Sequence, residues 1–556
     1  MPNTKLTVGL LIHDLAGAYQ EAVWQGTLSA AQAAEANVLC FSGGELKSPY
    51  GFHAQRNGIY DLVGADNVAC LVILTGALGN YVTTAELLRF CERYRPLPLV
   101  SLADDRLGLP AVVVDDGGGM EAAIEHLLVV HGYRRIAFLG GPRGNADAER
   151  RYAAYINVLA RYGLPVDTNL VAVGNFRADV GAEAVGAMCD RRHVKFEALV
   201  AANDAMALGA LAALQARGRR VPEEIAVVGF DDIEETHFSA PPLTSVRQPL
   251  RLQAQRAVEM ALALARGETP PSRVVLPTQL IVRRSCGCIW PEALRLTTSM
   301  AEKAVSPEFG GGAHSAASLS LPTLVALQGM EGATRLWKAW VAELRGEKYA
   351  FQTALWNAVA TGGETSVWRV AVTELYHQGT TEAFSPERLE AVWSQAQWVI
   401  GEAAAHAQAH KRLQREQEAR CLHLINEALS SVASWAELRQ VWGRYWASLG
   451  IHSAHLVLHS GEQPEGRLVA AYAADALVAL PDEGVMFPAS CLAPSTVWPP
   501  AQRYSAVMQA LFFRERPLGW ALFAGEAQWG LIYENLREQL NNVLPRLLIH
   551  PDLKFA

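Results

Sequence analysis

Val221–Asp232 reads VPEEIAVVGFDD, Pro241–Pro249 reads PPLTSVRQP, and Val282–Cys288 reads VRRSCGC. The apolar run Ile225–Phe230 suits a buried strand, and it ends on two carboxylates. Upstream, Ala198–Leu214 (ALVAANDAMALGALAAL) follows the same logic: a buried strand stops at Asn203-Asp204, where a helix begins. In parallel α/β sheets, ligands bind outside the carboxyl ends of strands. Asn203 offers both donors and acceptors, and Asp204 suits a helix cap. Capping alone is the alternative role for both. Further out, short apolar runs (Leu6–Ile12, Val38–Phe41, Val68–Leu74, Leu97–Val100, Ala111–Val114, Arg135–Leu139) alternate with alanine-rich helical stretches. Continuous apolar strands between helices predict parallel strands covered on both faces, an α/β arrangement. So many βα units over residues 5–285 exceed one ordinary sheet and predict two lobes.

The order of the three opening motifs resembles the lactose-repressor family of sugar- and purine-sensing regulators, over roughly residues 5–288. LPTQL at Leu276–Leu280 followed by RRSCGC is similar to that family's domain end. The resemblance implies a two-lobed, periplasmic-binding-protein-like (type I) domain over 1–288. Its chain would cross between lobes three times, swapping near 118–122 and 246–250, with a ligand in the cleft. By motif, Asn203 and Asp231 face the ligand, and Gln248 sits at a crossover. Arg151, within ERRYAAYINVLARYGL, matches the family's ligand arginine. Ala154 stands where the family usually has glycine, which leaves Arg150 as the alternative reader. In the first lobe, Asp14-Leu15-Ala16-Gly17-Ala18-Tyr19-Gln20 replaces the family's Asn-Pro-Phe-Phe-like segment. Tyr19 takes the aromatic position, and Asp14, Gln20 and Trp24 extend the pocket. Cap, turn or core roles remain open for these four. The implied ligand is a small polar molecule, whether sugar, nucleoside or other metabolite.

Past residue 288 the pattern changes. Residues 289–322, rich in Ser, Ala, Gly and Pro, read as a linker. Residues 323–432 read as helical: Trp337, Trp340 and Leu344, then Leu355 and Val359, then Trp368, Val372 and Leu375 recur at helical spacing. Leu422, Ile425, Leu429 and Val432 form a seam for a partner helix or for packing within one chain. Residues 433–556 read as α+β, with strand-like runs at Ala454–Leu458, Arg467–Ala473, Ala506–Phe513 and Gly519–Phe523. This stretch resembles the GAF-like module that follows such binding domains in some bacterial signalling proteins. The first strand starts within about five residues of Met1, which leaves no room for a helix-turn-helix before it. Direct DNA binding is therefore not expected. Output is expected through a protein partner, from a homodimer.

Composition narrows the classes further. A net charge of −8 argues against a dedicated nucleic-acid surface. No secretory signal and no membrane-spanning run is apparent, so a cytoplasmic protein is expected. Eight scattered cysteines are too few for a disulfide framework. Cys286 and Cys288 look like half a metal site, but no Cys/His pair follows them, and no metal is expected. His406 and His410 lack a third ligand and read as solvated. Gly140–Gly144 lacks the lysine and Ser/Thr of a nucleotide loop; Gly362-Gly363-Glu364 lacks the acidic partners of a cyclase. No nucleophile elbow or catalytic carboxylate pair marks 435–556, so neither catalysis nor a cofactor is expected.

Overall fold

The computed structural model describes residues 5–288, 329–347, 350–360, 365–379, 385–460, 465–498, 502–525 and 530–549. The linker expected over 289–322 and Gly362-Gly363-Glu364 lie outside them. The chain divides into two compact units, Met1–Pro291 with Cys421–Ala556, and Glu292–Arg420.

In the first unit, the expected apolar runs form the strands. β1 (Thr7–Ile12), β2 (Asn37–Ser42), β3 (Cys70–Ile73), β4 (Leu99–Leu102) and β5 (Ala111–Val114) are parallel, and all but the first residue of β1 are buried. β6 (Ile136–Gly140), β7 (Val171–Val173), β8 (Ala198–Ala201), β9 (Ala226–Asp231) and β10 (Thr244–Arg247) form a second parallel set. β11 (Arg273–Leu276) returns to pair with β5, and β12 (Gln279–Ile281) pairs antiparallel with β10. The chain therefore passes between two sheets three times. Helices α1 (Ala18–Ala33) and α5 (Leu250–Ala265) pack on the first sheet; α2 (Asp116–Glu125), α3 (Ala146–Arg161) and α4 (Asp204–Ala216) pack on the second. The first crossing comes at Asp115-Asp116, ahead of the 118–122 expected. Asp115 caps α2 by accepting from the Gly118 N–H at 2.9 Å, and α2 already packs in the second lobe.

The C-terminal stretch is not a separate body within this unit. β13 (Ile451–Ser460), β14 (Glu465–Ala473), β15 (Ala476–Leu477), β16 (Val485–Pro488), β17 (Ser505–Phe513) and β18 (Arg516–Gly525) form an antiparallel array. β17 then pairs in parallel with β2, from Ser505 opposite Val38 to Gln509 opposite Ser42. One twelve-stranded sheet results, in the order β11-β5-β4-β3-β1-β2-β17-β18-β13-β14-β15, with β16 on β14. A single buried core runs through both halves, from Val8 and Leu39 to Val507, Trp520 and Leu536. The last helix, α6 (Gly530–Ile549), lines it. Ile425, Leu429 and Val432 of the expected seam are buried in that same core, so this apolar face is covered within the chain.

The second unit is helical: Gly329–Arg345, Ala350–Ala360, Thr365–Gly379 and the first part of Pro386–Ser430. Its core gathers Trp340, Leu344, Phe351, Leu355, Trp368, Val372, Leu375 and Ile400, with Trp340 edge-on to Phe351 at 4.8 Å. The helical spacing read from the sequence supplies this core; Trp337 packs at its margin. His406 is exposed on the long helix, near the Trp356 ring.

Candidate functional site

The three opening motifs meet at one place for a structural reason. Asp232 of FDD pairs with Arg247 of SVRQP and Arg283 of VRRS, at 2.7 Å each. Ser285 donates to the Val227 carbonyl at 2.6 Å and accepts from the Thr244 N–H at 2.8 Å. Asp204 accepts from Ser245 at 2.6 Å and from the Ile233 N–H at 3.0 Å. A Cβ on Gly229 would come within 2.0 Å of the Asp204 carboxylate, so the glycine of VGFDD makes room for it. Much of the motif order therefore encodes the rim of the second sheet.

Asp231, one residue before Asp232, faces the cleft. Both aspartates have positive φ, 120° and 60°, strained geometry that the surrounding ion pairs and hydrogen bonds hold in place. Gln248 donates to Asp231 Oδ1 at 2.6 Å, and Arg151 Nη1 lies 3.8 Å from the same oxygen. The Arg151 guanidinium sits 3.8 Å over the Phe230 ring and donates to the Ala202 carbonyl at 2.6 Å. Its other edge is clamped by Asp116 Oδ1 at 2.7 and 2.8 Å. Asp116 Oδ2 takes Arg150 Nε at 2.9 Å, and Arg150 also reaches Asp147 at 2.6 Å and Asp105 at 3.3 Å. Asp116 and Gln248 stand on two of the three crossing segments.

Burial pushes Asp231 well above the carboxylate range against the pull of Arg151. Burial and the nearby Asp116 push Asp147 up to about 7, with Arg151 and Arg150 opposing. Burial, then Asp147 and Asp231, raise the Tyr19 phenol, which brings α1 of the first lobe into the same electrostatic cluster. Around the cleft, a carboxyl whose pKa burial raises and a phenol stand with a fixed guanidinium and an amide. This mixed set of donors and acceptors suits a hydroxyl-rich or carbonyl-bearing ligand.

The lobes meet across this cleft. Asn145 donates to the Gly76 carbonyl at 2.7 Å and to Asn80 at 2.9 Å, and Arg106 reaches Glu149 at 3.4 Å.

Among the residues expected at the site, Arg151, Asp231, Gln248 and Tyr19 converge. Arg150 lies alongside, tied to carboxylates. Asn203 does what a cap does, accepting from the Met206 N–H at 3.1 Å and donating to the Phe176 carbonyl at 3.0 Å. Asp14 and Gln20 join a separate group around His13: Gln20 Nε2 is 2.6 Å and Asp14 Oδ2 3.4 Å from His13 Nε2. Trp24 is a core residue, 1% exposed. The apolar run Ala111–Val114 and the loop Gly140–Gly144 were visible in the sequence. The roles of Asp116, Asn145 and Asp147 beside them were not. Cys286 and Cys288 have their Cys/His neighbours upstream and not downstream: His126 and His131 stand beside them.

Residues 124–286 match the family model of the periplasmic binding protein-like domain. The chain carries a periplasmic binding protein-like domain. It is similar to the HTH-type transcriptional regulator CelR of Thermobifida fusca, 39% identical over 185 residues, which are 32% of this chain and 54% of that protein. DegA of Bacillus subtilis, another HTH-type transcriptional regulator, is 30% identical over 216 residues, 38% of this chain and 63% of that protein. GalR of Escherichia coli is 29% identical over 288 residues, 50% of this chain and 78% of GalR. The chain spans about half the length of the first of these relatives. A solved CelR–cellobiose complex aligns at a TM-score of 0.44 and 29% identity, covering 51% of this chain and 86% of that one. Among the described residues, no helix is long and apolar enough to cross a membrane.

Proposed function

We propose that this chain is a non-catalytic regulatory protein that binds a small polar molecule between its two lobes. Binding shifts the balance between open and closed states of the cleft. The observation that carries this reading is the buried cluster of Arg151, Asp231, Gln248 and Asp116, two of them (Asp116 and Gln248) on crossing segments, with Tyr19 of the other lobe in the same electrostatic cluster. The relatives CelR and GalR, named as transcriptional regulators, support it. A route for the signal also exists. Leu15, in the loop before α1, donates its N–H to Glu534 of α6 at 3.3 Å, so movement of that loop bears on the C-terminal array. In this reading the array acts as a GAF-like module that docks a protein partner, and the working form is a homodimer.

The names of the relatives favour a second reading, a transcriptional regulator that acts on DNA directly. Salt-dependent, sequence-specific DNA binding by the purified chain separates the two readings and would defeat the partner-mediated one.

A thermal-shift screen of the full chain against sugars, nucleosides and related metabolites tests the ligand. A true ligand at 100 times its Kd stabilises by about 2.7 kcal/mol. Asp231→Ala and Gln248→Ala remove that shift. A shift that survives both substitutions removes the cleft from the proposal.

A further inference from the structure

Four metal-ligating side chains from distant stretches of the second lobe converge on one point. His126 and His131 bracket the π-helical turn His126–Val130 that continues α2. Cys286 and Cys288 lie at the end of the lobe, just past β12. The four ligating atoms all lie within 4.8 Å of one another. Cys288 Sγ is 3.4 Å from His131 Nε2 and 3.6 Å from His126 Nε2, and the two imidazole nitrogens are 3.3 Å apart.

Those spacings are those of a coordination polyhedron. Zn–S bonds of about 2.3 Å and Zn–N bonds of about 2.0–2.1 Å in a tetrahedron place neighbouring ligand atoms roughly 3.3–3.8 Å apart. Three of the four ligands already meet this. Cys286 Sγ, fully buried, rests 3.3 Å from the Arg283 carbonyl and completes the set by turning inward.

Local structure favours the arrangement. π turns are rare and concentrate at functional sites; this one brings two histidines five residues apart to the same side. Gly287, between the two cysteines, has φ +108°, a conformation that L side chains rarely adopt, and a Cβ there would come 3.2 Å from the His131 ring, so glycine suits this turn. His131 stacks on Tyr133 at 5.5 Å, which fixes the imidazole plane.

We propose that His126, His131, Cys286 and Cys288 bind one zinc ion that pins the end of the second lobe to the turn after α2. Two thiolates and two imidazoles suit zinc, and four protein ligands leave no open position, which makes the site structural. It stands apart from the cleft, so the ligand reading and this one fail independently.

The test uses the untagged full chain, purified in reductant without chelator, loaded with zinc and dialysed. Elemental analysis should find about one zinc per chain. Cobalt in its place should give the intense visible bands of a tetrahedral site together with a thiolate-to-cobalt charge-transfer band. Cys288→Ser and His131→Gln should each weaken zinc binding by more than about 100-fold, beyond the loss of an outer-shell partner. Cys491→Ser, at an exposed cysteine, should leave binding unchanged. Should the ligand variants fail to fold, the cobalt spectrum of the unaltered chain decides. Substoichiometric zinc, a cobalt spectrum without the thiolate band, or full zinc retention by Cys288→Ser overturns the proposal. A Cys286–Cys288 disulfide in place of metal does the same.

Discussion

Two adjacent carboxylates show how much one residue's surroundings decide. Burial alone would raise both. At Asp232 the guanidinium groups of Arg283 and Arg247 outweigh it and hold the carboxyl below its usual range. At Asp231 the single arginine within reach, at 3.8 Å, does not. One residue thus serves as an anionic keystone, and its neighbour faces the cleft with its pKa raised by burial. A third buried titratable group has no such partners. His455 on β13 is fully buried, and neither ring nitrogen has a hydrogen-bond partner among the described residues. Burial lowers its pKa from 6.5 to about 4. As pH falls, the unfolded chain takes up this proton first, so the folded state loses stability from pH 6.5 down to about pH 4. The loss should reach on the order of 3 kcal/mol. His455→Leu should flatten that part of the profile. Unfolding midpoints measured across this range for both proteins check it, and parallel profiles would refute it.

At the scale of elements, α6 is fixed to the first lobe by a buried charge. Glu534 accepts from Arg56 at 2.9 Å, Ser42 at 2.7 Å and Gln509 at 3.1 Å, while Arg537 approaches at 3.2 Å. Burial works against this carboxylate, yet Arg56 and Arg537 hold it down to about 2. Its contribution to stability is therefore complete above the unfolded value of 4.5 and disappears as pH falls from 4.5 towards 2. Glu534→Ala should cost about 3–5 kcal/mol, because it leaves Arg56 buried and uncompensated. Glu534→Gln, which keeps an acceptor for Ser42, should cost less. Chemical denaturation of the two variants orders them, and equal stabilities would mean that the charge is irrelevant. None of this was legible in the sequence. The strands β13, β14, β17 and β18 were, because their apolar runs are local. β15 and β16 were not, because strands of two and four residues are too short to carry a period. The parallel pairing of β2 with β17 joins residues more than 460 positions apart, and no spacing rule reaches that far. The site shows the same division. Arg151, Asp231 and Gln248 lie on motifs and come together in the fold. Asp14 and Gln20 instead neighbour His13, a contact that no motif encodes. His126 and His131 were missed because they precede the cysteines by some 150 residues.

For the whole molecule, the consequence lies in the seam between β2 and β17. An ordinary binding domain ends its first sheet at an edge strand, where exposed backbone groups invite aggregation. Here that edge is occupied, and one hydrophobic core continues through it. The ligand-binding half therefore does not end at residue 288 in any energetic sense. Cut there, it exposes the amides and carbonyls of β2, the apolar faces that Val507 and Leu536 cover, and the Arg56 guanidinium that Glu534 neutralises. Residues 1–291 produced alone should be poorly soluble, and residues 421–556 likewise. Produced together as separate chains they should co-purify in equal amounts, and Glu534→Ala should weaken the pair. The paired fragments should also retain the ligand-induced thermal shift of the full chain. Hydrogen exchange reports the same coupling in the intact protein: ligand should protect amides in 530–549 as well as in 14–20, since Leu15 and Glu534 are bonded. A soluble 1–291 fragment that binds ligand with full affinity would show that the seam joins two independent domains, and that closure is not transmitted through it.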